Sequence, residues 1–287
     1  MRRLEFLVNQ VRNSTDNKDT NGITTAEIVG YFNDAQKYIT SIIFKSNPYA
    51  DLFKTQVSYS AVSTGLYTIP ADCFAVNAIS MVEILTNTSP NVNEGYTRIK
   101  PISESEFSYM GGYITRDNVV AISGENQFPV RITYFKQLKS LDVRQSKVSA
   151  VVDGVSIALT APLPTELFIM DDHCSTVDAQ GDQVVANIYF TNTSGSPLLT
   201  ADTVGVTTSQ YVVAGANACN RSQLPDICES YLLDYVRQRI YTRNNYDDGE
   251  KQVYFTNQQR ADLISIFSKN KKDDDNIPIT DTGFLLF

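Results

Sequence analysis

A chain of 287 residues that is 42% hydrophobic and 20% charged can bury a core, which excludes a disordered chain. Its net charge of −8 argues against tight binding to nucleic-acid phosphates, which is built from Lys and Arg. A single histidine removes most acid–base and nucleophile pairings, and no apolar run approaches the roughly 18 residues of a membrane span.

The opening MRRLEFLVNQVRN places Leu4, Leu7, Val8 and Val11 at helical spacing, which predicts a short first helix over residues 3–13. Glu5 and Asn9 break its apolar run, so it does not read as an export signal. A polar, turn-rich loop, STDNKDTNG at 14–22, leads into the strongest helix signature of the chain. Thr24 is placed to cap that helix, Glu27 to close a capping box, and Ile23 and Ile28 to form a hydrophobic staple. Ile28, Phe32, Ala35, Ile39 and Ile42 then form an apolar stripe, with Asn33, Asp34, Gln36, Lys37 and Thr40 expected to face water. Pro48 marks the end.

From Lys54 the vocabulary becomes that of strands. QVSYSAV, GLYTIP, FAVNAISMVEIL, NVVAISG and FPVRITYFKQL are short runs rich in Val, Ile and Tyr, punctuated by Gly, Pro and Asn, and are expected to pair antiparallel. Residues 104–113 read as a helical turn closed by Gly111 and Gly112. A second strand-rich stretch, 148–218, predicts a small sheet with little helix. Helical periodicity returns at Pro225, read as the first helical position, with Ile227, Tyr231, Leu232, Tyr235 and Ile240 on the apolar face. A fourth helix is expected over 250–269, with Val253, Tyr254, Asn257, Ala261, Ile264 and Phe267 along its inner side. The charged run KNKKDDDN and the apolar IPITDTGFLLF complete the chain.

This order yields an α+β chain in which N- and C-terminal helix pairs meet as a discontinuous four-helix bundle around a long antiparallel β insertion, followed by an extended arm. The expected divisions are 1–50 with 222–270 for the bundle, 51–147 and 148–221 for two β-rich parts, and 271–287 for the arm.

Little in the chain carries reaction chemistry. Asp171, Asp172, His173 and Cys174 are four ligand types in a row, but neighbours on a strand point to opposite faces, so a loop or strand end is the better reading than a metal or catalytic site. Asp273–Asp275 lack the spacing of a calcium loop. No glycine-rich phosphate loop is present, and Arg237, Arg239 and Arg243 are satisfied by a helix end as well as by a phosphate. Cys73, Cys174, Cys219 and Cys228 form no C-x-x-C pair and are expected as reduced, mostly buried thiols. No catalytic residue, metal or cofactor is assigned. The informative feature is the arm: Ile277, Ile279, Phe284, Leu285, Leu286 and Phe287 either fold back on their own core or dock on a partner.

Three segments carry a family resemblance. Val11-Arg12, Glu27-Ile28, Tyr31-Phe32-Asn33 and Ala35-Gln36 resemble the V-R motif and E-[LI]-x-x-[YL]-[LFI]-N-x-A-Q core of phage head–tail connector, or adaptor, proteins. GLYTIPADCFAV (65–76) and SGENQFPVRITYFKQL (123–138) resemble the strand–turn segments of tail tubular and adaptor proteins of short-tailed phages. The stretch 148–218 has no counterpart in that pattern. The resemblance implies a virion structural protein, not an enzyme, made in the host cytoplasm and placed at the head–tail junction. It implies a homo-oligomeric ring, commonly of about twelve subunits, that docks under the portal protein and offers a platform to downstream tail or collar proteins. DNA would pass through its channel during ejection without sequence-specific binding, and no membrane is involved. A tail tube or collar ring component is the nearest alternative. A carbohydrate or cell-surface binding module is the alternative of a different class, given the Ser, Thr, Asn and Tyr content of the β part.

Overall fold

The computed structural model describes residues 1–15, 22–46, 53–75, 78–86, 95–107, 111–123, 128–152, 156–163, 172–190, 198–200, 203–244 and 257–268. Two helices, α1 (Leu4–Ser14) and α2 (Thr25–Ser46), open the chain, and two more, α3 (Glu229–Asn244) and α4 (Asn257–Phe267), follow the β-rich middle. The capping box forms as expected. Glu27 N–H donates to Thr24 Oγ1 at 3.2 Å, and Thr24 N–H donates to Glu27 Oε2 at 3.0 Å. That backbone donor holds the Glu27 carboxyl below its ordinary range. Ile23 and Ile28 are both fully buried, as a staple requires.

The stripe of α2 is buried along its length, from Ile28 through Phe32, Ala35 and Ile39 to Ile42 and Ile43, and packs against α1, α3 and α4. A bundle of four helices alone does not describe this core. Phe53, Ala78, Phe135, Leu141 and Cys219, all from the β-rich middle, enter the same cluster, and α4 supplies one buried side chain, Leu263. The expected inner side of α4 is also turned. Ala261 and Ile264 are exposed, while Leu263 inserts and Gln259 Nε2 donates to Asp234 Oδ2 on α3 at 2.7 Å. Val253 and Tyr254 lie outside the described residues. Pro225 stands just before a 3₁₀ turn (Asp226–Cys228) in extended conformation, so it precedes the helical residues instead of starting them.

The middle holds fifteen strands among the described residues. Of these, β1 (Lys54–Tyr59), β3 (Ile79–Leu85), β4 (Tyr96–Ile99) and β7 (Val130–Phe135) form a sheet in the order β1-β7-β3-β4. A second sheet orders β2 (Leu66–Thr68), β6 (Val119–Ile122) and β5 (Tyr113–Arg116) as β2-β6-β5. Both are antiparallel, and residues of both, including Tyr67, Val82, Val120 and Ile132, share one buried cluster. The helical turn expected at 104–113 is present over its first residues, where Glu106 N–H donates to the Ser103 carbonyl at 3.1 Å and Phe107 N–H to the Glu104 carbonyl at 3.3 Å. Tyr113 already belongs to β5, and an ideal Cβ on Gly112 would lie 2.6 Å from the Lys100 carbonyl oxygen. That glycine permits a close backbone approach.

The second strand-rich stretch is larger than a small sheet. It contains β9 (Ser146–Val152), β10 (Ser156–Leu159), β11 (Asp172–Val177), β12 (Gln183–Phe190), β13 (Leu198–Thr200) and β14 (Tyr211–Ala214), ordered β12-β11-β14-β9-β10-β13. Alternating residues bury one face, with Val148, Ile157, Cys174, Ile188 and Val212 in a cluster of their own. One parallel pair departs from the expected antiparallel pattern: β8 (Ser140–Leu141) runs alongside β15 (Ala218–Cys219) at the base of this sheet.

Phe32 and Ile264 separate a core position from an exposed helical one. Phe32→Ala is expected to lower unfolding stability by about 3–5 kcal/mol. Ile264→Ala is expected to stay within about 0.5 kcal/mol, as checked by urea denaturation of both variants.

Candidate assembly surface

The water-facing side assigned to α2 is where the helices meet the sheets. Gln36 and Thr40 are buried and Asn33 is half-buried. Asn33 Oδ1 accepts the Leu141 N–H at 2.7 Å while its Nδ2 donates to the Leu141 carbonyl at 2.9 Å. Gln36 Nε2 donates to the Lys139 carbonyl at 2.8 Å, and its Oε1 accepts the Ser222 hydroxyl at 2.6 Å. These two amides fasten α2 to β8 and to the chain leaving β15.

Arg12 plays the matching part for the loop between α1 and α2. Its buried guanidinium donates from Nη2 to the Ile23 carbonyl at 3.0 Å and to Thr25 Oγ1 at 3.2 Å, holding the entry to α2. From the other side, Arg243 Nη1 donates to the Gly22 carbonyl at 2.7 Å and its Nη2 pairs with Glu27 at 3.1 Å. Arg237 bonds Ser14 Oγ at 2.9 Å and Asp234 at 3.0 Å, and Arg239 bonds Tyr235 Oη at 3.2 Å. All three arginines of α3 thus contact groups within the chain.

The two strand–turn segments meet each other. Asp72 Oδ1 accepts the Tyr134 hydroxyl at 2.8 Å, and its Oδ2 pairs with Lys136 Nζ at 3.1 Å. Burial and this donation to a carboxylate push the Tyr134 hydroxyl well above the ordinary phenol range. The Phe135 ring next to it packs edge-on against Phe44 of α2, centroids 4.8 Å apart.

A polar knot ties α1 to the six-stranded sheet. Glu5 Oε1 accepts from Arg144 Nε at 2.9 Å, from Arg144 N–H at 3.1 Å and from Asn220 Nδ2 at 3.0 Å. Buried Asp142 accepts the Ala214 N–H at 2.7 Å and both carboxylate oxygens are reached by Gln145 Nε2 at 3.1 and 3.2 Å. Burial pushes the Asp142 carboxyl up to about 6, outweighing these donors, and the Glu5 charge adds to the rise. The thiols behave as expected of reduced cysteines: Cys174, Cys219 and Cys228 are buried and Cys73 half-buried, all free. Burial raises Cys219 to about 11 and Cys228 to about 12.

His173 and Cys174 separate as strand alternation dictates. Cys174 is buried in the sheet core, whereas the His173 ring stands beside Tyr189 across the ladder, centroids 5.3 Å apart. Among the described residues no three His, Cys, Asp or Glu side chains gather as a metal group, and no helix is long and apolar enough to cross a membrane. Asp171, Asp273–Asp275 and all six arm residues, Ile277, Ile279, Phe284, Leu285, Leu286 and Phe287, lie outside the described residues.

Residues missed in the sequence lie on the surface beside this seam. Two hollows flank the segment 136–139, with volumes of about 280 and about 340 Å3, and share Gln137 and Leu138 in their linings. Lys37 lines the first, and Lys54 and Lys136 the second. Nothing local marks these lysines, which only the tertiary fold brings together.

The model of the SU10 adaptor protein family matches residues 4–279. The chain belongs to that family. The match takes in all three resemblance segments and also the six-stranded sheet, and it stops before Phe284. No curated protein matches the chain. Membership implies a phage adaptor, a structural component of the virion with a non-enzymatic role, whose partners are portal and tail proteins.

Asn33→Ala leaves the Leu141 peptide without its helix-side partners and is expected to cost about 1–3 kcal/mol in urea denaturation. For Asp142 the folded carboxyl titrates above the unfolded one, so its stabilising protonation is complete below pH 4 and lost as pH rises toward 6. Denaturation from pH 4 to 7.5 should therefore show Asp142→Asn gaining on the parent chain by on the order of 2–3 kcal/mol.

Proposed function

We propose that this SU10-family adaptor is the head–tail connector subunit of a short-tailed phage, forming a homo-oligomeric ring of about twelve copies under the portal. The observation that carries the reading is the family match over residues 4–279. The ring extends the DNA channel and presents the tail attachment platform. Its acidic balance, −8 for each chain, suits a conduit from which DNA phosphates slide without pairing.

In this reading residues 1–50 and 222–270 act as the helical body, 51–147 as the first β part, 148–221 as the second, and 271–287 as an arm. The arm docks through Ile277, Ile279 and Phe284 to Phe287 on another subunit or protein. The location of 148–221 fits a projecting part. The chain leaves β8 at Leu141 and re-enters at Ala218, and those two strands are paired neighbours, so what lies between is closed at its base.

The mass of the purified protein, alone and with its portal, tests the reading. A ring, or a monomer that becomes a ring on the portal, is expected; a monomer that ignores the portal overturns it. Deletion of residues 277–287 is expected to leave the far-ultraviolet circular dichroism and thermal midpoint unchanged while abolishing ring formation. A truncated chain that assembles normally would sink the arm's role.

A further inference from the structure

The two hollows beside the segment 136–139 adjoin at Gln137 and Leu138, which line both, and are treated together as one groove. Its walls combine Phe53, Phe74 and Leu138 with the ammonium groups of Lys37, Lys54 and Lys136. Lys139 lies on the same segment, its carbonyl held by Gln36 and its N–H by Gln223 at 2.9 Å. Burial pushes the Lys139 ammonium down, and Lys37, Lys54 and Lys136 bring positive side chains together on this side of a chain whose balance is −8. Asp72 pairs with Lys136 Nζ at 3.1 Å, and the Lys54 ammonium stands over the Phe135 ring, 5.9 Å from its centroid. A groove of this composition selects an extended ligand that carries both carboxylates and large apolar side chains.

The chain itself contains such a ligand. Asp273–Asp275 and Asp281 alternate with Ile277, Ile279 and the run Phe284 to Phe287. The three lysines of that region, Lys269, Lys271 and Lys272, all precede the carboxylates on the α4 side. The length from 268 to 284 reaches up to roughly 55 Å when extended, enough to leave its own subunit. A groove and an arm are different patches of one chain, so their pairing between copies is heterologous, the kind of contact that builds a ring where the rotation closes.

We propose that this groove receives the 273–287 segment of a neighbouring copy, its carboxylates against Lys37, Lys54 and Lys136 and its apolar side chains against Phe53, Phe74 and Leu138. The assignment rests on the ring reading above and adds the site and chemistry of the subunit contact.

The test uses the full chain in two isotopic forms, mixed, with a photoreactive benzophenone at position 284, irradiated alone and after addition of portal. The expected product joins position 284 of one isotopic form to peptides 53–55 or 136–138 of the other. Cross-links confined to one isotopic form mean that the arm covers its own subunit, and cross-links to other peptides or to portal mean another site; either overturns the proposal. Lys37→Glu with Lys54→Glu should reduce the groove cross-link at least tenfold while leaving circular dichroism unchanged, and an undiminished yield counts against the groove. A ring that assembles without the groove cross-link rejects this site and leaves the connector reading intact. Groove cross-links between copies that never form a ring on the portal reject the connector reading and leave the site.

Discussion

The structure depends on how α2 completes a strand that is too short to complete itself. Within β8 and just past it, Ser140 and Asp142 turn their N–H groups toward β15, where the Asn217 and Cys219 carbonyls accept them, both at 3.0 Å. Leu141 lies between them, so its own N–H and C=O point the opposite way, into the helices. A helix has no free backbone groups along its middle to offer a strand edge. What can stand in for a peptide is an amide side chain, because it carries a donor and an acceptor a fixed distance apart. Asn33 does this for Leu141, and Gln36, one turn on, does it for Lys139 and Ser222. A carboxylate has no donor for the carbonyl, and a hydroxyl is too short to bridge both atoms.

That requirement explains which part of the chain was legible in sequence and which was not. The cap, staple and apolar stripe of α2 depend on neighbours three and four residues away, so Thr24, Glu27, Ile28 and Phe32 announce themselves. Asn33, Gln36 and Thr40 were read as facing water because polarity along a helix reports exposure only when the opposite partner is water. For Asn33 and Gln36 the partner is a strand edge 103 to 108 residues away, which no local pattern encodes, and the Thr40 hydroxyl is satisfied by the Gln36 carbonyl one turn back. The motif positions Arg12, Asn33 and Gln36 carried the family resemblance, and the fold supplies their physical purpose. Each satisfies backbone groups at a junction between elements.

The same reasoning accounts for α4. Its periodicity marks an amphipathic segment but not which side meets the protein. Leu263, flanked by Gln259 and Phe267, docks because Asp234 on α3 offers the Gln259 amide an acceptor at 2.7 Å, and a hydrogen bond of that kind fixes rotation about the helix axis. Ala261 and Ile264 are left outward as a consequence. With only one fully buried side chain, α4 is held by less apolar area than α2 or α3, so its attachment contributes least to the helical core. The arm residues were legible only as composition, since a segment's apolar character says that it needs a cover and not where the cover lies.

The path of the chain through β8 and β15 shows why a large sheet coexists with a helical core that is split in sequence. Between Leu141 and Ala218 the chain builds six strands, yet both ends of that excursion emerge side by side. Extending such an excursion adds closure entropy only as the logarithm of its length, so the helices lose little by having it between them. The cost falls instead on the base, where buried polar groups of both parts meet. Glu5 answers that cost by accepting charge-assisted hydrogen bonds from Arg144 and Asn220 across the junction, while the Asn220 amide also donates to the Asp142 carbonyl and, at the base of the sheet itself, the Asp142 carboxylate accepts the Ala214 N–H. The Asp142 carboxyl, pushed up to about 6, is where the answer is incomplete. A carboxylate held there by the Ala214 N–H and the Gln145 amide, in place of an apolar contact that could slide, fixes how the chain leaving β8 sits against β14. That directional hold at the base of the sheet is kept at a loss of stability at neutral pH.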